Sequence, residues 1–309
     1  MAAVIRVDEN FNHAFFKGAS CAFGVFDGVH RGHQFLIGCA CESAAASGGK
    51  SIALTFDVDP DEMLHPTRLQ KLMSNGDRVS LLAESGVDAV VILPFTKEFA
   101  ALEPFEFLQN TFNGFAPESL HVGFDFRFGA KAAGTIKELE EWGSNLGTTI
   151  HAHDLKSLDD KPITSTRIRL LLKETDIQKA NELLGKSYFI RGLVRPGRGE
   201  GSGLGFRTAN LTLDPSIQAL GEGVYAAYAE VDGVRYKAAV SVGVSPMFAD
   251  ETTATCEVHI LDFAGEIYGE SIKVEFIEFL RPMINFESVE ELSKTVLSNI
   301  AWVHENLSL

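Results

Sequence analysis

The strongest constraint on the fold is a change of hydrophobic rhythm near residue 184. Before it, short apolar runs alternate with stretches of helical spacing. The runs Ser20–Phe26, Ser51–Phe56, Ala89–Leu93, Leu120–Gly123 and Thr148–His153 read as strands. Between them, Gln34–Ala46, Thr67–Ser85, Pro104–Phe112 and Ile136–Leu146 read as helices, and a last helix starts at about Thr166 and ends at Lys173. Leu36 and Ile37 anchor the first helix, and Leu69, Leu72, Val79 and Leu82 set the spacing of the second. This alternation predicts a parallel sheet with helices on both faces. Ligands of such sheets bind at the carboxyl ends of the strands. After residue 184 the strands shorten and follow one another, broken by Gly and Pro: Val224–Glu230, Tyr236–Val242, Thr255–Ile260 and Ile272–Phe279. Asp232-Gly233 reads as a hairpin turn. Evenly spaced short strands predict a small antiparallel β-barrel. A closing helix follows, with Ser288 as N-cap and Leu292, Val296, Ile300 and Val303 on one face. The predicted domains are therefore 1–184 and 185–309.

The length agrees, since 309 residues exceed what one core usually serves. A net charge of -15 argues against a general nucleic-acid surface or an anionic-membrane surface. It leaves room for small phosphate ligands, which local N–H groups and a few cations hold. No apolar run reaches the roughly 18 residues that span a bilayer, and the first residues lack the pattern of a signal peptide. Cys21, Cys39, Cys41 and Cys256 show no CxxC pair, so they read as buried or half-buried thiols. These features predict a cytoplasmic protein that acts on small molecules, with no nucleic-acid or membrane partner. Nothing in the sequence specifies an oligomeric state.

The first candidate site is Gly24-Val25-Phe26-Asp27-Gly28-Val29-His30-Arg31-Gly32-His33. It follows a predicted strand and opens a helix. Gly24, Gly28 and Gly32 let the backbone approach a ligand and place N–H groups at a helix N-terminus, which suits a polyphosphate. His30 and His33, three apart at the helix start, can point at the same phosphates and stabilise charge as an oxygen attacks. Two surface histidines in a Gly-rich turn are the plainer alternative. The position between strand and helix favours the ligand reading. The second element is Ile163-Thr164-Ser165-Thr166-Arg167-Ile168-Arg169. Its Ser and Thr cap a helix and can donate to phosphate, and Arg167 and Arg169 can reach a triphosphate. It follows the last predicted strand of the α/β region, which puts it at the sheet edge that carries His30 and His33.

In the second region Gly197, Gly199, Gly201, Gly203 and Gly205 lead into Phe206-Arg207-Thr208-Ala209-Asn210. A Gly-rich stretch beside a hydroxyl and an amide oxygen suits a nucleotide and Mg²⁺, although composition alone also fits a plain loop. Glu257 stands in an apolar strand between Cys256 and Val258, facing either a cavity or solvent.

These motifs, in this order, resemble the prokaryotic bifunctional riboflavin kinase/FMN adenylyltransferase family, also called FAD synthetase. The resemblance runs through GVFDGVHRGHQ from Gly24, TFDVDP from Thr55, LPFTKEFAAL from Leu93, VGFDFRFG from Val122 and ITSTRIR from Ile163. It continues through GLGFRTANL from Gly203, GVYAA from Gly223, CEVHILDF from Cys256 and Tyr268-Gly269. It implies an α/β Rossmann-like nucleotidyltransferase domain followed by a riboflavin kinase-like barrel. In the first domain it implies that FMN phosphate attacks the α-phosphorus of ATP, giving FAD and pyrophosphate. It assigns the phosphates to His30 and His33, with Gly24, Phe26, Asp27, Gly28 and Gly32. It assigns the triphosphate tail to Ser165, Thr166 and Arg167, with Mg²⁺ at the leaving group. Asp125, Phe126 and Phe128 would line the flavin side, although core packing is an equal alternative for the two phenylalanines. In the barrel it implies phosphorylation of riboflavin to FMN. Gly203, Gly205, Thr208 and Asn210 would hold ATP, Thr208 and Asn210 the metal, Arg281 the flavin, and Glu257 would act as general base.

Four positions depart from the family pattern. Asp59 replaces a His, which brings a carboxylate toward ATP that must face metal or solvent to avoid repulsion. Arg207 replaces a Pro, Ser202 stands where an Arg is usual, and Met247 replaces a Thr. Two other readings are compatible with these letters: an adenylyltransferase with an inactive flavin-binding barrel, and a flavin-binding regulator without turnover.

Overall fold

A computed structural model describes residues 2–64, 70–196, 207–243 and 255–309. Gly197, Gly199, Gly201, Ser202, Gly203, Gly205 and Met247 lie outside the described residues, as does the start of the predicted 67–85 helix. The chain divides into two units, Met1–Ser165 and Thr166–Leu309.

In the first unit the strands are β1 (Ala3–Arg6), β2 (Ser20–Phe23), β3 (Ser51–Phe56), β4 (Ala89–Leu93), β5 (Ser119–Gly123) and β6 (Thr149–His153). They form one sheet in the order β1-β4-β3-β2-β5-β6, and every pairing is parallel. β2, β3 and β4 are buried along their whole length, as expected of a sheet covered on both faces. One face packs on α1 (Arg31–Ser47) and α3 (Asn75–Ala83), through Leu36, Ile37, Ala40 and Leu82 against Ala22, Ala53 and Val90. The other packs on α5 (Pro104–Phe112) and α6 (Ile136–Leu146), through Phe107, Phe112, Leu139 and Trp142 against Cys21, Leu54 and Val91. Short helices α2 (Pro60–Leu64) and α4 (Lys97–Ala100) follow β3 and β4, and a small antiparallel pair, β7 (Ser157–Leu158) and β8 (Lys161–Pro162), follows β6.

Three departures from the predicted elements bear on the first sheet and its site. β2 stops at Phe23 rather than running to Phe26, because Phe26 turns the chain with a φ of 60°. Among the described residues, the helix predicted over 67–85 begins at Asn75, where the Ser74 hydroxyl accepts the Asp77 N–H at 3.0 Å. Leu72 is buried but not helical, and its N–H goes to the Asp27 carboxylate instead. β1 was not foreseen.

The second unit opens with the rest of α7 (Ser165–Lys173) and α8 (Ile177–Leu184). Six strands follow: β9 (Tyr188–Arg195), β10 (Ala209–Leu213), β11 (Gly223–Val231), β12 (Val234–Gly243), β13 (Thr255–Ile260) and β14 (Ser271–Arg281). They close into an antiparallel barrel in the order β10-β13-β12-β11-β14-β9. Asp232 and Gly233 both have positive φ, 50° and 75°, the backbone that a tight hairpin between β11 and β12 needs. α9 (Val289–Asn306) is capped by Ser288 and lays Ile300, Trp302 and Val303 on Ala226, Tyr228 and Ala239 of the barrel wall. α8 is tied to the barrel as well: the Asn181 amide donates to the Phe276 carbonyl at 2.8 Å and its oxygen accepts the Tyr188 N–H at 2.6 Å.

Candidate active sites

The motif from Gly24 to His33 occupies the carboxyl end of β2 and the first turn of α1. Helix α1 starts at Arg31, earlier than its apolar spacing indicated, so both histidines belong to the helix start. His30 is the N-cap, and its Nδ1 accepts the His33 N–H at 3.3 Å. The two imidazoles stack with centroids 3.6 Å apart and planes 17° from parallel. His30 is only 5% exposed, and the edge of Phe26 meets the His33 ring at 5.3 Å. The arrangement puts two imidazoles beside the positive end of one helix dipole, where anions are favoured.

The connecting turn is strained. Phe26, Gly28 and Val29 have φ of 60°, 80° and 41°, and such a conformation costs of order 1–3 kcal/mol at each residue that is not glycine. Gly28 carries the most positive of these angles without a Cβ penalty. At Gly32 a Cβ would sit 3.1 Å from the His30 ring, a tight contact that would push the imidazole by a few tenths of an ångström. Asp27 is buried, and its carboxylate accepts the Leu72 N–H at 2.9 Å. Ser165, the first residue of α7, donates its hydroxyl to the Asp27 carbonyl at 2.9 Å. This brings Ser165 of the second sequence element to the first. Thr166 lies inside α7 rather than capping it, and its hydroxyl accepts from Arg169 at 3.1 Å.

Asp59 is turned away from solvent. It is 5% exposed, its carboxylate accepts the Asp61 N–H at 2.9 Å, and its carbonyl accepts the Glu62 N–H at 2.9 Å. It therefore caps α2. Burial raises its pKa, opposed by the Asp61 hydrogen bond and by the charge of Arg78. Arg78 is a buried cation that the motifs did not reveal. The available signal was its place four residues before Leu82, on the apolar side of α3.

The loop after β5 sorts its residues by depth. Asp125 is exposed, Phe126 is half-buried with its ring 5.2 Å from Phe23, and Phe128 is 4% exposed against Phe107. Phe124, which the motif did not single out, is 66% exposed.

In the barrel, Asn210 on β10 lies directly opposite Glu257 on β13, and Ser241 on β12 lies on the other side of Glu257. Cys256, Val258 and Ile260 are buried while Glu257 and His259 are half-buried, so the carboxylate stands on the less buried face of the strand. Thr208 precedes β10 by one residue and shares the strand face of Asn210. The exposed Arg207 has its carbonyl held by His259 Nδ1 at 2.8 Å. That bond fixes backbone where the family's Pro would have fixed φ. Arg281, at the end of β14, donates its Nε–H to Asn299 at 2.9 Å and lies 5.7 Å from the Phe286 ring.

Comparison with known proteins gives one family for each half of the chain. The FAD synthetase family matches residues 13–167, and the riboflavin kinase family matches residues 184–307. The chain belongs to the bifunctional riboflavin kinase/FMN adenylyltransferase family. Proteins of that name include one from Listeria monocytogenes, 34% identical over 88% of this chain and 87% of the relative. Another, from Bacillus subtilis, is 33% identical over 89% and 88%, and one from Escherichia coli K12 is 32% identical over 95% and 94%. A crystal structure titled a macrolide-efflux protein from Streptococcus pneumoniae matches 99% of both chains, with a TM-score of 0.85 and 29% identity. Among the described residues no helix is long and apolar enough to cross a membrane. No finding favours an inactive barrel over a kinase.

Proposed function

We propose that the first unit adenylylates FMN at the His30–His33 turn and that the barrel phosphorylates riboflavin at Thr208, Asn210 and Glu257. The observation that carries the first half is the stacked His30–His33 pair at the N-terminus of α1. A phosphate oxygen of FMN attacks the α-phosphorus of ATP, the α–β bridging bond breaks, and pyrophosphate leaves. The histidines stabilise charge on the phosphoryl oxygens, where preorganised donors act most strongly. Ser165, Thr166 and Arg167 hold the departing phosphates, and Asp125 and Phe126 face the flavin.

In the barrel, Glu257 takes the proton of the ribityl 5′-hydroxyl as that oxygen attacks the γ-phosphorus of ATP, the β–γ bridging bond breaks, and ADP leaves. Thr208 and Asn210 offer neutral oxygen donors on one strand face, opposite a carboxylate. That set fits Mg²⁺, a hard cation that prefers oxygen. Bound with ATP, Mg²⁺ would neutralise charge on the phosphates. Four free thiols, two of them fully buried, support a reducing cytoplasmic setting. Riboflavin with ATP and Mg²⁺ is expected to yield FMN first and FAD later in a chromatographic time course. FMN supplied alone with ATP should give FAD without a lag. Formation of FAD from FMN with no FMN from riboflavin would overturn the barrel assignment.

A further inference from the structure

The strained turn that presents His30 has its carbonyls held from outside. The Val29 carbonyl accepts from the Gln34 amide at 2.8 Å, and the Asp27 carbonyl accepts from Ser165 at 2.9 Å. The Val25 carbonyl, where the turn leaves β2, accepts from two side chains: the Thr55 hydroxyl at 3.2 Å and one terminal nitrogen of Arg78 at 2.7 Å. The other terminal nitrogen of Arg78 donates to the carbonyl of Phe56, the last residue of β3, at 2.7 Å. One planar group therefore bridges the carboxyl ends of two adjacent strands at the point from which the His30 turn departs. Arg78 is 2% exposed. Its charge lies in the field of Asp59, Asp27, Glu62 and Asp57. Two parallel donors on a rigid plane are a property of guanidinium that an ammonium does not share.

We infer that Arg78 is a positioning residue for adenylyl transfer: by holding the Val25 and Phe56 carbonyls together it sets the direction in which the His30–His33 turn meets the α-phosphate. The inference rests on the assignment of that turn to FMN adenylylation. A ligand-facing turn held by carbonyl contacts on its far side keeps its donors aimed without blocking them. A shift of about 1 Å at such a site costs on the order of a hundredfold in rate.

The test uses the full chain, with riboflavin phosphorylation in the same samples as the internal control. Arg78→Ala is expected to lower kcat for FMN adenylylation by about a hundredfold while the kinase rate stays unchanged. Ethylguanidinium at millimolar concentration should restore part of the lost rate, and sodium chloride or urea at the same concentration should not. Arg78→Lys keeps the charge but gives up one of the two carbonyl bonds, and is expected to stay folded, as an unchanged kinase rate would show, yet adenylylate slowly. Thr55→Val, which removes the second donor to Val25, should show a smaller loss of the same kind. His30→Ala is run in parallel. If His30→Ala still makes FAD, the site assignment falls and the Arg78 role falls with it. If His30→Ala is inactive but Arg78→Lys adenylylates at the wild-type rate, only the Arg78 role falls. It also falls alone if Arg78→Ala loses both activities equally and ethylguanidinium restores neither.

Discussion

Two histidines and one glutamate divide the proposed chemistry between the halves of the chain. His30 and His33 share one helix start and one stack, so replacing either breaks the stack. His30→Ala combined with His33→Ala is expected to reduce FAD synthesis by at least about a hundredfold, with FMN formation from riboflavin intact. Glu257→Gln keeps the size of the side chain and removes the base, so it should do the reverse. Chromatography of flavins from the two variants checks both outcomes, and parallel loss of both activities in either variant would mean unfolding. Asp59 shows how burial changes the meaning of a substitution. Read as a letter it is a negative charge near ATP; folded, it is a helix cap in the field of Arg78.

The β5–β6 pair carries a pH response that none of the motifs foretold. His121 and His151 are register partners, and the ring of His121 also meets His153, Nδ1 to Nε2, at 3.0 Å. Burial, with the charges of His151 and His153, lowers the His121 pKa from 6.5 to about 4. The folded state therefore holds His121 neutral where the unfolded chain would protonate it. This contribution is complete above the unfolded pKa of 6.5 and is lost as pH falls toward about 4; it amounts to at most about 3 kcal/mol. His153 is lowered in the same direction, first by burial, and adds to the slope. Urea unfolding between those pH values should show stability falling with pH, and His121→Asn should flatten the dependence. Elements with complete local signals were the easiest to foresee. α5 and α6 have the predicted bounds, because a capping box opens each and a residue in left-handed conformation closes each. β1 has no such signal. Three of its four residues are exposed, and it is a strand because β4 offers it a parallel ladder from Ala89 to Ile92.

At the scale of the molecule, the chain contains two units joined within α7. The change of hydrophobic rhythm near residue 184 marks where the strands of the barrel begin. The bonds of Asn181 show that α8, which precedes that point, is bound to the barrel. We therefore expect a fragment of residues 166–309 to phosphorylate riboflavin. A fragment starting at residue 188 should be less stable by roughly 2–3 kcal/mol, having lost two hydrogen bonds and the cover of Leu183 and Leu184. Thermal unfolding of the two fragments with kinase assays checks this. Equal stability would place the working boundary where the rhythm changes.

The sequence by itself determined the two architectures and their order, and it named the residues proposed for both sites. Those features are local: strand and helix periods, caps, a DG turn, and contiguous motifs such as the one from Gly24 to His33. Only the tertiary structure decided what holds the first site in shape. Arg78, Leu72 and Ser165 reach the turn from 53, 45 and 138 positions away along the chain. A periodicity encodes which face of an element is buried, but not which distant backbone carbonyl a buried cation will find. That choice was made when α3 packed on the sheet and left a guanidinium between two strand ends.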